Sequence, residues 1–253
     1  MTVSTGFKDF FSSRTDDYTR YRPGYPPDLF AWLAELTEGH ETAWDCGCGN
    51  GQASVGLAPY YRQVIATDPS QNQIEKARRR ERITYAVASA EQSGLADGSA
   101  DLILVAQALH WFDFGRFYDE VHRVAKPGGV IAALSYGELQ VSGEPDAVVS
   151  RFYHGIIAPY WPPERKHVDE GYRNIPFPFP RIEAPAFAME VDWNMAQLLG
   201  YLGTWSALKE YEKRHGRDPR ELIEAELREA WGDPGQTRRI SWPLTLLVGR
   251  IKA

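Results

Sequence analysis

Cysteine is scarce in this chain: Cys46 and Cys48 are the only two in 253 residues. One residue apart, they are poor disulfide partners, and no second Cys/His pair completes a zinc site. Disulfide scaffolds and zinc modules are therefore excluded, and no metal site is expected. A reduced, cytoplasmic setting is the expectation. Long apolar runs are missing too, since none approaches the roughly 18 residues that cross a bilayer. The opening MTVSTGFKDFFSSRTDDYTRYRPGYP has no basic stretch leading into an apolar one, so no secretory signal is read there. Positive charge is in deficit, with Lys+Arg 28 against Asp+Glu 34 and a net charge of -6. That balance leaves no electrostatic footprint for nucleic acid. One local basic run, KARRRER (76–82), follows a helical pattern and reads as a solvated helix end. Internal repeats are absent. The expected partner is a small molecule, with no membrane or nucleic acid, and the expected state is a monomer or homodimer.

What is present alternates. PPDLFAWLAELTE (26–38) spaces Leu29, Phe30, Leu33 and Leu36 for one helical face, and its prolines suit a helix start. TAWDCG then reads as a strand and 51–60 as a helix. QVIATD (63–68) is a buried strand ending in an acid, followed by PSQNQIEKARRR, where Pro69 and Ser70 open a helix. RITYAVAS (82–89) is a strand and ADGS (96–99) a turn. ADLILVAQ (100–107) is apolar enough to be covered on both faces, as parallel strands are. A helix over 114–126, a PGG stop and the strand VIAALSYG complete the pattern. Repeated β-α units of this length predict an α/β, doubly wound, mostly parallel sheet. From 137 to 186 aromatics and prolines mix, as in IIAPYWPPERKHVDEGYRNIPFPFP, and no single regular element fits. This stretch reads as an insertion covering the active-site side of the sheet. Strands over 187–193 and 238–251, with helices through Trp231 between them, make 187–253 the part that completes the sheet of a single domain over 1–253.

The chemistry gathers at AWDCGCGNGQASVGL (43–57). A nicotinamide or flavin fingerprint requires G-x-G-x-x-G. Gly47 and Gly49 fit its first two places, but the third is Gln52 and the glycine falls at Gly51. No Gly-Lys-Ser/Thr follows, so a phosphate loop is excluded. The pattern is D-x-G-x-G-x-G from Asp45; alone it could be only a tight turn. Asp68 ends the next strand, where an acid can accept hydrogen bonds from two ribose hydroxyls. Strand ends in such a sheet project on one side, so Asp45, Gly47, Gly49, Asp68, Ala90 and Gln107 should converge on one crevice.

Over residues 18 to 136 the chain resembles the class I S-adenosylmethionine-dependent methyltransferases of small-molecule type, and is most similar to the trans-aconitate branch. YTRYRPGYP, WDCGCGNGQAS, IATDPSQNQIEKA, AEQSGLADGSADLILVAQALHWFD and RVAKPGGV carry the resemblance, more loosely supported by TWSALKEY and ISWPLTLLVGR. It implies a Rossmann-like, seven-stranded sheet whose last strand lies antiparallel beside the fifth. It also implies a cofactor-binding core over 18–136, S-adenosyl-L-methionine as cofactor, and a glycine loop (Gly47, Gly49, Gly51) under its methionine half. The leading acid matches Asp45 and the ribose-binding acid Asp68. The adenine contacts fall on Ser89 and Ala90; where relatives carry an acid this chain has Ser89, with Glu91 as a substitute.

The resemblance makes the chemistry an in-line displacement on a methyl group activated by a sulfonium. The protein then has to align the reacting atoms and exclude water. A sulfonium favours aromatic faces, and Tyr18, Tyr21 and Trp111 are the candidates; Trp111 reads equally as core packing. YRPGYP is either a proline turn or a flap whose Arg22 pairs with the cofactor carboxylate. His110 either deprotonates a hydroxyl acceptor, hydrogen-bonds an acidic one, or is satisfied by backbone. No N-P-P-Y type signature for nitrogen acceptors occurs in 104–112. The expected activity is methylation at oxygen of a small acidic or hydroxylated molecule. The alternatives are a cofactor-binding regulatory module without catalysis, or an RNA or protein methyltransferase.

Overall fold

TAWDC forms strand β1 (Thr42–Cys46), with every residue buried, as a strand covered on both faces must be. It lies at the centre of a sheet seen here in a computed structural model that describes residues 22–252. β2 (Gln63–Asp68), β3 (Ile83–Val87), β4 (Ala100–Ala106) and β5 (Ala125–Tyr136) join it, all parallel, in the order β3-β2-β1-β4-β5. The order reverses between β1 and β4, so their C-terminal ends open a crevice there.

Helices cover both faces. On one side α1 (Pro27–Glu35) and α2 (Gln52–Leu57) bury Leu29, Leu33 and Leu57 against Val64 and Leu102. On the other, α4 (Phe114–Val124) packs Phe117 and Val121 on Trp44 and Ile103. Its first turn is capped by Asp113, whose side chain accepts from the Arg116 N–H at 3.2 Å. Between them, α3 (Gln71–Glu75) is shorter than the 69–80 helix its pattern predicts. The Arg78 N–H donates to the Asn50 carbonyl at 3.1 Å and the Arg78 carbonyl accepts from the Tyr85 hydroxyl at 2.9 Å. The basic run is thus an irregular link and not a helix end.

Beyond β5 come β6 (Gln140–Val141), α5 (Pro145–Arg151), a π-helical turn (Phe152–Ile156) and α6 (Arg165–Asp169). β7 (Arg181–Ile182), β8 (Ala188–Trp193), α7 (Met195–Leu202), α8 (Ser206–His215), α9 (Glu224–Trp231) and β9 (Arg238–Arg250) follow. β9 runs antiparallel to every strand it touches. Its C-terminal half lies between β5 and β7, and its N-terminal half between β6 and β8. The registers show β6 carrying on from β5 after a one-residue slip, and β8 from β7 likewise. The nine-stranded sheet therefore fills the seven strand positions expected. Pro243, which has no N–H to give, sits where β9 changes partners, just past its last pair with β5 at Leu244. Among the described residues no helix is long and apolar enough to cross a membrane.

Candidate active site

The turn after β1 is held in left-handed conformation at Gly47 (φ +71) and Gly49 (φ +53), where a side chain is strained. The two glycines serve different ends. A Cβ at Gly47 would lie 2.7 Å from the Ala108 Cβ, so this glycine lets the turn pack under the loop after β4. A Cβ at Gly49 would meet nothing within 4 Å, and Gly49 lines an open cavity. Asp68, at the end of β2, braces the turn: its Oδ2 accepts from the Gly49 N–H and its Oδ1 from the Ser70 N–H, both at 2.9 Å. The same carboxylate lines the cavity beside Gly49.

That cavity has a volume of about 430 Å³. Its floor is the glycine turn with Asp68, Pro69 and Ser70; Gln107, His110 and Trp111 after β4 form one wall. The remaining wall brings Arg22, Tyr136, Trp161, Arg165, Tyr201 and Trp205 from separate parts of the chain. It is aromatic with two cations set into it. Arg22 Nη1 donates to the Tyr136 hydroxyl at 2.7 Å, and its guanidinium lies 5.3 Å from the Tyr201 ring centre. Arg165 lies 4.8 Å from the Trp161 ring centre, with its Nε donating to the Tyr153 hydroxyl and to Asp169 Oδ1.

His110 is buried, with Nδ1 3.0 Å from the fully buried Tyr172 hydroxyl. Burial pushes its pKa down to about 3, helped by the nearby charges of Arg165 and His167. The imidazole is therefore neutral at physiological pH. It can hydrogen-bond, but it is far too weakly basic to serve as a general base near pH 7.

Of the residues singled out in the sequence, the cavity wall brings together Arg22, Gly47, Gly49, Asp68, Gln107, His110 and Trp111. Asp45, Gly51, Ser89, Ala90 and Glu91 are not part of that wall, and Tyr18 and Tyr21 lie outside the described residues. Asp45 is buried beneath the turn, where Oδ2 accepts from the Ser54 hydroxyl of α2. Gly51 leaves room for the Tyr85 ring. Glu91 Oε1 accepts from the Asp113 N–H at the start of α4, at 3.1 Å. Gln107 is at the wall, but its amide is spent on backbone: Nε2 donates to the Tyr136 carbonyl at 3.0 Å and Oε1 accepts from its N–H at 2.9 Å. Tyr136, Trp161, Arg165, Tyr201 and Trp205 escaped the sequence reading. The one signal for Arg165 was a cation inside an aromatic, proline-rich stretch.

A glycine turn and an acid at neighbouring strand ends of a doubly wound sheet form the nucleoside-binding arrangement of this architecture. Comparison with known proteins specifies the nucleoside. Residues 44–133 match the family described as "Methyltransferase domain". A Dictyostelium discoideum protein named as a methyltransferase is 34% identical over 222 residues, 86% of this chain and 84% of that protein. A Mycobacterium tuberculosis protein, also named as a methyltransferase, is 38% identical over 120 residues, 47% of this chain and 49% of its own. The solved structure of a protein described as a type II methyltransferase from Anaeromyxobacter dehalogenans superposes with a TM-score of 0.87 at 52% identity, covering 92% of this chain and 99% of that one. The chain belongs to the methyltransferase family, and it is an S-adenosylmethionine-dependent enzyme. The site suits that cofactor: Gly49 leaves open space where a Cβ would stand, and Asp68 borders the same space with a carboxylate.

Proposed function

We propose that the enzyme transfers methyl to an oxygen of a small molecule carrying an acidic group, the acceptor lying between the glycine turn and the aromatic wall. The observation that carries this reading is that one cavity is lined both by two arginines among aromatic rings and by Asp68 with Gly49. S-adenosylmethionine brings a methyl group already activated as a sulfonium. The chain's work is then to align, to shield and to hold charge. In this reading Asp68 accepts from ribose hydroxyls, Gly49 passes the methionine half, and Arg22 meets its carboxylate. The aromatic faces of Trp111, Tyr136 and Tyr201 favour a nearby cation, by roughly 0.5–2 kcal/mol in comparable pairs. Residues 137–186 supply Trp161 and Arg165 as a cover over the acceptor.

The state of His110 supports one kind of oxygen over the other. A hydroxyl acceptor needs its proton removed, and a neutral imidazole whose conjugate acid has a pKa of about 3 is poorly matched to that task. A carboxylate is already ionised at pH 7, its pKa lying near 4. The acidic acceptor is therefore favoured, with His110 as a hydrogen-bonding group. Methyl-labelled S-adenosylmethionine and a panel of carboxylic acids and alcohols test this. Label should appear in methyl esters, with a kcat that is level between pH 6 and pH 8. Transfer to alcohols alone, with a rate rising through a pKa near 6.5, would exclude it.

A further inference from the structure

Arg165 stands out among the cavity residues because only one edge of its guanidinium is engaged. The Nε edge is tied to Tyr153 at 2.8 Å and to Asp169 at 3.1 Å, on its own helix α6. The planar group rests on the Trp161 ring, and the side chain is only 17% exposed. Its two Nη groups make no hydrogen bond among the described residues, and neither is sealed from solvent. Arg165 is one of the residues that line the cavity. A guanidinium held along one edge and stacked on an indole is pre-oriented, so its outer edge presents parallel N–H groups to whatever enters.

His110 supplies a second directed donor on the same cavity. Tyr172 is fully buried and its hydroxyl has His110 Nδ1 as its partner. When the phenol donates to Nδ1, the imidazole proton stands on Nε2, and that is the tautomer used here. Nε2 makes no hydrogen bond among the described residues and is not sealed either. The charge of Arg165 helps keep this ring neutral.

We propose that Arg165 is the specificity-determining residue of the acceptor site: its outer edge, with the His110 Nε2–H, binds a carboxylate whose planar or apolar body lies on Trp161 and Trp205. This rests on the methyl-transfer reading above and adds to it the residues that read the acid. The acid group is identified by the bidentate fork, and the body by the two indoles. Tyr172 is then a positioning residue that fixes the donor tautomer of His110.

The test uses the full-length protein loaded with S-adenosylhomocysteine. Paired probes differ only in charge: benzoate with benzamide, cinnamate with cinnamamide, and short dicarboxylates with their diamides. Acids should bind and amides should not. Arg165→Met should weaken acid binding, and raise KM for acids that are methylated, by about 10- to 100-fold, as loss of a charged hydrogen-bond partner does. Affinity for S-adenosylhomocysteine should not change, which also reports that the variant is folded. Arg165→Lys keeps the charge but not the fork, and should recover only part of the loss. Amides binding as well as acids, or acid affinity unmoved by Arg165→Met with S-adenosylhomocysteine binding intact, would overturn the role of Arg165 alone. Failure of the wild type to bind S-adenosylhomocysteine would strike the methyl-transfer reading itself.

Discussion

Among the described residues Asp45 has no cation beside it, and burial raises its carboxyl to about 7 despite the hydrogen bonds from Ser54. In the unfolded chain the same group titrates near 3.8. Between those values the folded protein keeps a proton that the unfolded chain has released. Stability must therefore fall as pH rises through that window and level off above it. Asp45→Asn can still accept from the Ser54 hydroxyl and removes the ionisation. Its melting temperature should exceed that of the wild type by a margin that grows from pH 4 to pH 7.5. A margin constant over that range would show that Asp45 ionises normally. This residue also marks how far the site could be read from sequence. The string D-x-G-x-G-x-G says that an acid precedes the turn, but not that it faces inward. The meeting of Asp68 and Gly49 at one cavity was legible because a strand-end acid and a glycine turn at neighbouring strand ends of such a sheet project to the same side, although either alone could serve only the turn. Arg165 was not, because its partners Tyr153, Trp161 and Asp169 meet it only once the irregular stretch has folded.

At the scale of elements, the end of β4 depends on a side chain doing a backbone's work. Gln107 takes a left-handed φ of +59 and gives both ends of its amide to Tyr136 of β5. The ladder is thereby extended by one rung where the chain turns away to form the cavity wall. Gln107→Ala leaves the Tyr136 N–H and carbonyl without that partner and should cost about 1–3 kcal/mol in denaturant unfolding. Gln107→Gly loses the same bonds but relieves the left-handed strain, so it should be the less damaged of the two. Equal stability of wild type and both variants would show that water replaces the amide without loss. The sequence announced β4 plainly through its apolar run. It did not announce this rung, because glutamine at a strand end looks the same whether it faces ligand or backbone. The short α3 is a similar case: KARRRER has helical composition, and a tertiary bond from the Arg78 N–H to Asn50 overrides it.

For the molecule as a whole, binding at the junction of turn, β4 loop and aromatic wall couples ligand to global stability. S-adenosylhomocysteine at a hundred times its Kd should add about 2.7 kcal/mol. For a chain of this size that amounts to a rise of roughly 5–10 °C in melting temperature, and NAD should give none. No shift with the sulfur nucleoside, or an equal one with NAD, would count against a cavity tailored to it. The doubly wound, mostly parallel core followed from the β-α periodicity, since each buried strand and its helix signal independently of the rest, whereas the strand order is read from the structure. The far wall did not follow, because Tyr136, Trp161, Tyr201 and Trp205 come together through β9 and not through any local pattern. That strand carries one more consequence. It lies C-terminal to every strand it pairs with, and four segments (β5, β6, β7 and β8) rely on it. While the chain is being synthesised, each of those segments has an unpaired edge, the kind of edge that invites other chains to pair. The parallel half of the sheet can close as it emerges from the ribosome. The half that builds the aromatic wall must wait for the residues from Arg238 onward, so a nascent chain interrupted before them would have the glycine turn and no aromatic wall facing it.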